Sequence, residues 1–235
     1  MKKMSPEQFT EKLKTVCGDN LQAVVLYGSA AAGDYAAKGS DYNLLVVLND
    51  LSPAVLRNLA KPVAVWERAG NPPPLMFTRK RLADAADVFP VELLDMRDAR
   101  RVLSGEDVIA AIEPGMANLR LQVERELRSA VIQLCRSYLS VSGNPRRLTA
   151  LLTGSLSGVL TLFRAALRLY ENPVPAEKFQ ALEKLTGHVP VKLESFRRIQ
   201  ALKAGTLKIK NVDAGRLFEE YLASIEAVVD AVDRI

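Results

Sequence analysis

Short apolar runs alternate with longer helical patterns in the first half of the chain. Four runs predict strands because they are brief, apolar and mostly rich in β-branched residues, and they occupy residues 21–27, 41–48, 75–77 and 91–96. Residues 52–68 and 79–88 repeat their apolar positions every three or four residues, which predicts helices. Pro62 is expected to kink or divide the first of these. The alternation predicts a mixed α/β sheet.

The remaining pattern is helical. Ser5, Pro6 and Gln8 form a helix-start signature that predicts a helix to about residue 16. After Gly105 no further strand is evident, and helical spacing continues through residues 117–141, 145–170, 175–185, 191–203 and 212–235. The sequence therefore predicts two domains: an α/β domain over residues 1–112 and an all-α helical bundle over residues 113–235.

Composition limits the kinds of chemistry available. The 235 residues are 49% hydrophobic, which suits globular domains, and the first 110 residues carry equal numbers of basic and acidic side chains, so the net charge of +5 arises after them. This surplus suits an anionic partner but is too dispersed to indicate nucleic acid by itself. Two distant cysteines, Cys17 and Cys135, favour neither a disulfide framework nor a zinc site. A single histidine, His188, excludes sites that need a histidine pair.

The sequence predicts a cytoplasmic protein. No stretch approaches the eighteen or so uncharged apolar residues expected of a membrane helix, and the lysines at positions 2 and 3 are followed by no apolar segment. No association with a membrane is therefore expected.

Candidate chemistry begins where the first predicted strand ends, at Gly28 and Ser29. Glycine lets the backbone approach a ligand closely, and the N–H groups at the start of a following helix favour an anion. A turn of this kind suits a phosphate, although Gly-Ser turns are common and most are plain tight turns.

Asp41 and Asn43 strengthen this interpretation. They lie two residues apart on a predicted strand, so they point to one face and could hold a metal ion beside the turn. Glu92 is an acid within the apolar run 91–96, where a charge calls for a ligand, a partner or exposure, and it is the natural candidate for a third carboxylate. Asp95 could also contribute, but strand alternation places it on the opposite face from Glu92.

These segments, Gly28-Ser29, the small residues to Gly33, Ser40-Asp41-x-Asn43 and the Glu92 run, resemble the nucleotidyltransferase superfamily. The order of a small α/β domain and a helical bundle is similar to that of bacterial antibiotic nucleotidyltransferases, including aminoglycoside-modifying enzymes. The resemblance covers residues 24–105. It implies that Gly28, Ser29 and Ser40 bind the nucleotide, that Asp41 and the residue at 43 bind Mg²⁺, and that Glu92 is a third ligand or the general base.

Two positions depart from the family pattern. Asn43 replaces the family's second aspartate, and Ala32 stands where an arginine is often found. An amide oxygen can contact Mg²⁺ but lacks the charge, which puts activity in question because even outer-shell losses at metal sites commonly cost about 10–100-fold. Weaker candidates are the basic cluster Arg79-Lys80-Arg81 for phosphate, and Trp66 and Tyr42 for stacking a base.

Three functions remain open from the sequence. The first is Mg²⁺-dependent transfer of AMP from ATP, or of another nucleoside monophosphate, to a hydroxyl of a small molecule, a protein or an RNA. The second is a catalytically degenerate nucleotide-binding or protein-partner module with an antitoxin-like role. The third is a scaffold that forms a homodimer through an apolar face of the bundle.

Overall fold

A computed structural model describes residues 4–32 and 41–235. These residues form two compact units, of which the first ends at Gly115 and the second begins at Met116. The first unit contains four strands, β1 (Leu21–Tyr27), β2 (Asn43–Leu48), β3 (Leu75–Thr78) and β4 (Arg100–Gly105). Its helices are α1 (Pro6–Cys17), α2 (Ser29–Ala32), α3 (Pro53–Arg68), α4 (Arg79–Asp84) and α5 (Pro90–Asp98).

The four strands form one mixed sheet in the order β3-β2-β1-β4. β1 is antiparallel to both β2 and β4, whereas β2 and β3 are parallel. β1 is consequently a central strand, and its residues 23–26 are almost completely buried. The expected α/β class is confirmed.

Both faces of the sheet are covered by helices. Successive strand residues point to opposite faces, so Ala23 and Val25 enter one core with Leu93 and Met96 of α5. Val24 and Leu26 enter the other core, with Phe9 of α1 and with Leu59 and Trp66 of α3. α1 begins as its sequence predicts, because the backbone N–H of Gln8 donates to Ser5 Oγ at 3.2 Å and Gln8 Oε1 accepts from the Ser5 N–H at 3.1 Å.

One sequence expectation is wrong in this unit, and one of the two alternatives for Pro62 is excluded. Residues 91–96 are not a strand. They lie within helix α5, whose first residue is Pro90. A short apolar run does not distinguish a strand from a buried helix, and proline at a helix start is the signal that decides here. Pro62 does not divide its segment, since α3 runs from Pro53 to Arg68.

The second unit consists of helices. They are α6 (Met116–Val141), α7 (Pro145–Leu167), α8 (Lys178–Leu185), α9 (Leu193–Lys203) and α10 (Ala214–Asp233). α7 is central, since it packs against the four others. Phe163 of α7 packs against Phe196 with ring centroids 5.4 Å apart, and Phe196 packs against Tyr221 at 5.0 Å. The expected helical bundle is confirmed.

α7 is also the one helix among the described residues that is long and apolar enough to cross a membrane by length and composition. Its Thr, Ser and Gly residues are interspersed with leucines, so the helix contains no long uninterrupted apolar run. Ten of its residues are buried against other helices of the unit. This packing is that of the core helix of a bundle.

Candidate functional site

The turn after β1 is held in a conformation that requires glycine. Gly28 has φ +80°, a value that L side chains rarely adopt. Its N–H donates to the Ala99 carbonyl at 2.9 Å, and its own carbonyl accepts from the Ala31 N–H at 2.9 Å. The chain therefore turns sharply from β1 into α2, whose first residue is Ser29.

Asn43 lies immediately beside this turn. It is the first residue of β2 and pairs with Tyr27, the last residue of β1. A Cβ atom added to Gly28 would lie 3.5 Å from Asn43 Nδ2, so the amide lies within van der Waals contact of the position that a side chain would take there. The structure thus brings together two of the residues that the sequence singled out, Gly28 and Asn43.

Asp41 precedes β2 by two residues and is exposed. Tyr42, between them, donates its backbone N–H to Asn71 Oδ1 at 3.3 Å, which fixes the chain as it enters the strand. Ser40, the remaining residue of this motif, lies outside the described residues.

Glu92 occupies a different element from the one expected. It is an exposed residue in the first turn of α5, not a strand residue. Glu92 and Asp95 are three residues apart on a helix and so lie on neighbouring positions of one face. The expectation that alternation separates them is therefore wrong, because it depended on a strand.

α5 covers the sheet face towards which the side chain of Asn43 points. Leu45 and Val47 enter the same core as Leu93 and Met96 of α5, and alternation along β2 gives Asn43 the same side as Leu45. Glu92 is therefore carried by the helix on this side of the sheet.

The sheet register adds two residues that the sequence did not indicate. Tyr27 pairs with Asn43 on one side and with Arg100 of β4 on the other, so the three side chains form a row across β2, β1 and β4. Opposed residues point to the same face with Cβ atoms about 4.5–5.5 Å apart. Burial raises the pKa of the Tyr27 phenol above its ordinary value.

Arg100 is held firmly at the end of this row. Its guanidinium donates to both carboxylate oxygens of Asp107, with Nη2 2.7 Å from Oδ2, and it also donates to the Arg97 carbonyl. These hydrogen bonds lower the pKa of Asp107. Only the pairing of β1 with β4 places Arg100 here, and no local sequence signal predicts that pairing.

The side chains that the sequence proposes as metal ligands offer hard oxygen donors. Asp41 offers a carboxylate and Asn43 an amide oxygen, and these are the ligand types that Mg²⁺ accepts. In residues 4–32 and 41–235, no three His, Cys, Asp or Glu side chains are grouped so as to hold a metal ion. A metal site formed by Asp41, Asn43 and Glu92 would have two carboxylates and one amide, and so one negative charge fewer than a site with three carboxylates.

The weaker sequence candidates have structural roles. Trp66 is fully buried, stacks on Phe9 with ring centroids 4.6 Å apart and donates its Nε1–H to the Pro72 carbonyl at 2.8 Å, so it is not accessible to a base. Arg79 and Lys80 form ion pairs with Glu106 and Asp84 at 2.8 and 2.7 Å. These exposed pairs are typical of solvated surfaces.

Comparison with known proteins defines the fold. No protein-family model matches the chain, and no curated protein matches it. Among solved structures it is similar to spectinomycin adenyltransferase AAD(9) from Enterococcus faecalis, solved with ATP and spectinomycin. The TM-score is 0.58 at 12% identity, over 93% of this chain and 97% of the adenyltransferase chain. The chain thus has the fold of a nucleotidyltransferase, an α/β unit followed by a helical unit.

Proposed function

We propose that this protein is a nucleotidyltransferase that transfers AMP from ATP to a hydroxyl of an acceptor in an Mg²⁺-dependent reaction. The observation that carries the proposal is the placement of Asn43 beside the Gly28 turn at one end of the sheet. The fold shared with an adenyltransferase solved with ATP supports it.

Gly28 and Ser29 would bind the triphosphate, with Ser40 as an additional contact. The N–H of Gly28 is already bonded to the Ala99 carbonyl, so the contribution of Gly28 is its positive φ and missing side chain, which let a phosphate approach the backbone that follows it closely. Tyr27 would contribute a neutral hydroxyl at the same end of the sheet, because burial keeps its pKa high.

Asp41 and Asn43 would hold Mg²⁺, with Glu92 as a third ligand or as the general base. Bound Mg²⁺ supplies charge neutralisation for the phosphates and aligns them for displacement. In the transfer, the acceptor oxygen bonds to the α-phosphorus, the bond from that phosphorus to the bridging oxygen breaks, and pyrophosphate leaves. Glu92 takes the proton of the acceptor hydroxyl at a carboxylate oxygen when it acts as the base.

The acceptor would be a neutral small molecule, a protein side chain or an RNA end. The net positive charge of the chain arises after residue 110, and like charges repel, so a polycationic aminoglycoside suits this half less well. The proposed reaction would take place in the cytoplasm, where ATP and Mg²⁺ are available.

Asn43 favours a second candidate function. An asparagine in place of an aspartate removes one charge from the metal site, which suits a degenerate nucleotidyltransferase that binds nucleotide or a partner protein in an antitoxin-like role. The two functions differ in whether ATP binding depends on Mg²⁺ and leads to turnover.

Calorimetric titration with ATP, with and without Mg²⁺, tests the proposal on the wild type and on Asp41→Ala. We expect Mg²⁺-dependent binding that is lost in Asp41→Ala. The matched control is Asp19→Ala, an exposed aspartate before the start of β1, which should bind ATP as the wild type does. Absence of binding under every condition would overturn the nucleotide site and favour the partner-module function.

A further inference from the structure

Two stretches of the helical unit contain basic residues and no acidic ones. Residues 127–170 contain six arginines, residues 195–212 contain five lysines and arginines, and neither stretch contains an aspartate or a glutamate. A surplus of basic side chains without neighbouring acids creates a positive potential. The net positive charge of the chain is therefore concentrated in these two stretches.

The fold brings parts of the two stretches to one end of the helical unit. Three residues connect α6 to α7, so Arg146 and Arg147 lie where these helices meet. Tyr138, in the last turn of α6, stacks on Phe218 of α10 with ring centroids 4.4 Å apart, so α10 begins at the same end. Residues 208–211, which include a 3₁₀ turn that contacts α7, lie just before α10. The basic side chains gathered here are the basic end: Arg146, Arg147, Lys208 and Lys210.

The charge of the basic end is not compensated by the chain itself. All four side chains are exposed, and within residues 4–32 and 41–235 none of them forms an ion pair. Other exposed arginines of the unit are paired, as Arg197 is with Glu183 at 2.8 Å. The next acid along the chain, Asp213, is the N-cap of α10 and accepts from the Arg216 N–H at 3.1 Å.

Arg146 and Arg147 also occupy positions that disfavour positive charge. They lie in the first turn of α7, where the helix dipole is positive, and this turn contains no acidic residue. The helix start needs neither side chain, because Asn144 Oδ1 accepts from both backbone N–H groups at 3.1 Å. Two charges that weaken their own helix indicate a role outside folding, and a bound polyanion would neutralise them.

We propose that the basic end binds the phosphate backbone of single-stranded RNA. This inference goes beyond the proposed function and does not depend on it. Lysine and arginine side chains neutralise phosphates without reading base sequence. The guanidinium group can in addition donate two parallel hydrogen bonds to one phosphate.

The arrangement of the basic end favours a single strand over other polyanions. Duplex DNA is usually read by a helix or β-ribbon that enters a groove, whereas these four side chains come from one helix start and one 3₁₀ segment. A membrane surface requires a broad apolar face beside the charges, and within residues 136–147 and 203–218 only Leu139 and Ile209 are large, apolar and exposed. Single strands follow a basic surface with their backbone, and RNA is the nucleic acid that cells hold mainly as single strands.

Fluorescence anisotropy with a labelled single-stranded RNA oligonucleotide, over a range of salt concentrations, tests the proposal. For Arg146→Gln/Arg147→Gln we expect an affinity at least about tenfold weaker and a slope of log K against log salt that is smaller by about 1.4, because each phosphate contact with a single strand contributes about 0.7. Lys208→Gln/Lys210→Gln should weaken binding in the same way, since both pairs belong to one surface.

The matched control is Arg57→Gln/Lys61→Gln, which removes two exposed charges from α3 and should bind the RNA as the wild type does. The Arg146→Gln/Arg147→Gln protein should be at least as stable as the wild type in urea, because positive charge is removed from a helix start. It should also bind ATP normally, which separates the basic end from the nucleotide site.

Several outcomes would overturn the proposal. They are a wild type that does not bind the RNA at low salt, an affinity that either double variant of the basic end leaves unchanged, and an equal loss in the α3 control. Tighter binding to duplex DNA, or to vesicles of phosphatidylserine and phosphatidylcholine, would assign the surface to a different partner and contradict the proposal as well.

Discussion

Tyr27 and Asn43 lie directly opposite each other at the last position of the β1–β2 ladder, next to Gly28. Their side chains point to one face of the sheet, so a half-buried phenol and an amide lie together at the end of β1 from which the chain enters α2. Because the two residues pair, the phenol of β1 and the amide of β2 both lie beside the glycine turn.

Restoring a carboxylate at position 43 should strengthen metal binding. For Asn43→Asp we expect at least tenfold tighter Mg²⁺-dependent ATP binding and a higher transfer rate, because one more charged oxygen would face the ion. Calorimetry measures the first effect and pyrophosphate release the second. Asn49→Asp, which adds the same charge beyond the other end of β2, should change neither. If Asn43→Asp behaves as the wild type does, this site does not hold the metal.

Gly28→Ala should weaken ATP binding. The substitution forces a side chain into φ +80° and places its Cβ 3.5 Å from the Asn43 amide, and we expect a loss of about 1 kcal/mol of stability. Gly18→Ala is the matched control, since φ there is +52° and no other atom lies within 4 Å of the added Cβ. Both variants should lose stability by chemical denaturation. Equal ATP affinities for the two would argue against phosphate binding at Gly28.

The Arg100–Asp107 ion pair should make stability depend on pH. Because Arg100 lowers the pKa of Asp107 in the folded state, the pair stabilises fully above the unfolded pKa of about 3.9, and this contribution is lost as pH falls through the lower, folded value. Asp107→Asn should therefore cost about 1 kcal/mol at pH 7 and almost nothing at pH 2–3. Asp84→Asn removes a more exposed pair, with Lys80, and should have little effect at either pH. Urea unfolding across pH provides the measurement.

Trp66→Phe should lower stability without affecting ATP binding. The smaller ring leaves a void in a fully buried position and removes the donor to the Pro72 carbonyl, so we expect a loss of about 1–3 kcal/mol. Val65→Ala, at a 39% exposed position of the same helix, should cost less than about 0.5 kcal/mol. Weaker ATP binding by a folded Trp66→Phe protein would contradict the structural role assigned to this side chain.

The sequence predicts the fold well where a pattern is local. The strands predicted at 21–27 and 75–77, the helix start at Ser5 and the helices of the second unit follow from periodicity and helix-start residues. The pattern predicts the wrong element for helix α5. Its apolar residues are compatible with either a buried strand or a buried helix, and they are Val91, Leu93, Leu94 and Met96. Pro90 at the start of the helix is the local signal that distinguishes the two, and the packing of α5 against the sheet agrees with it.

The candidate site is predicted in part for the same reason. Asp41, Asn43 and the Gly28 turn are adjacent along a strand-turn motif, so their residue types suffice to select them. Tyr27 and Arg100 belong to the site only through register, and register between β1 and β4 depends on segments more than seventy residues apart. A single sequence contains no local signal for that pairing.

The central position of β1 also affects how the protein folds as the ribosome makes it. β2 can pair with β1 early, but the other edge of β1 is covered only when Arg100–Gly105 has been synthesised and has left the exit tunnel. Until then an apolar strand exposes unpaired N–H and C=O groups, which are a template for aggregation. A nascent chain that ends before residue 100 should therefore require a chaperone, whereas one that extends past β4 should not.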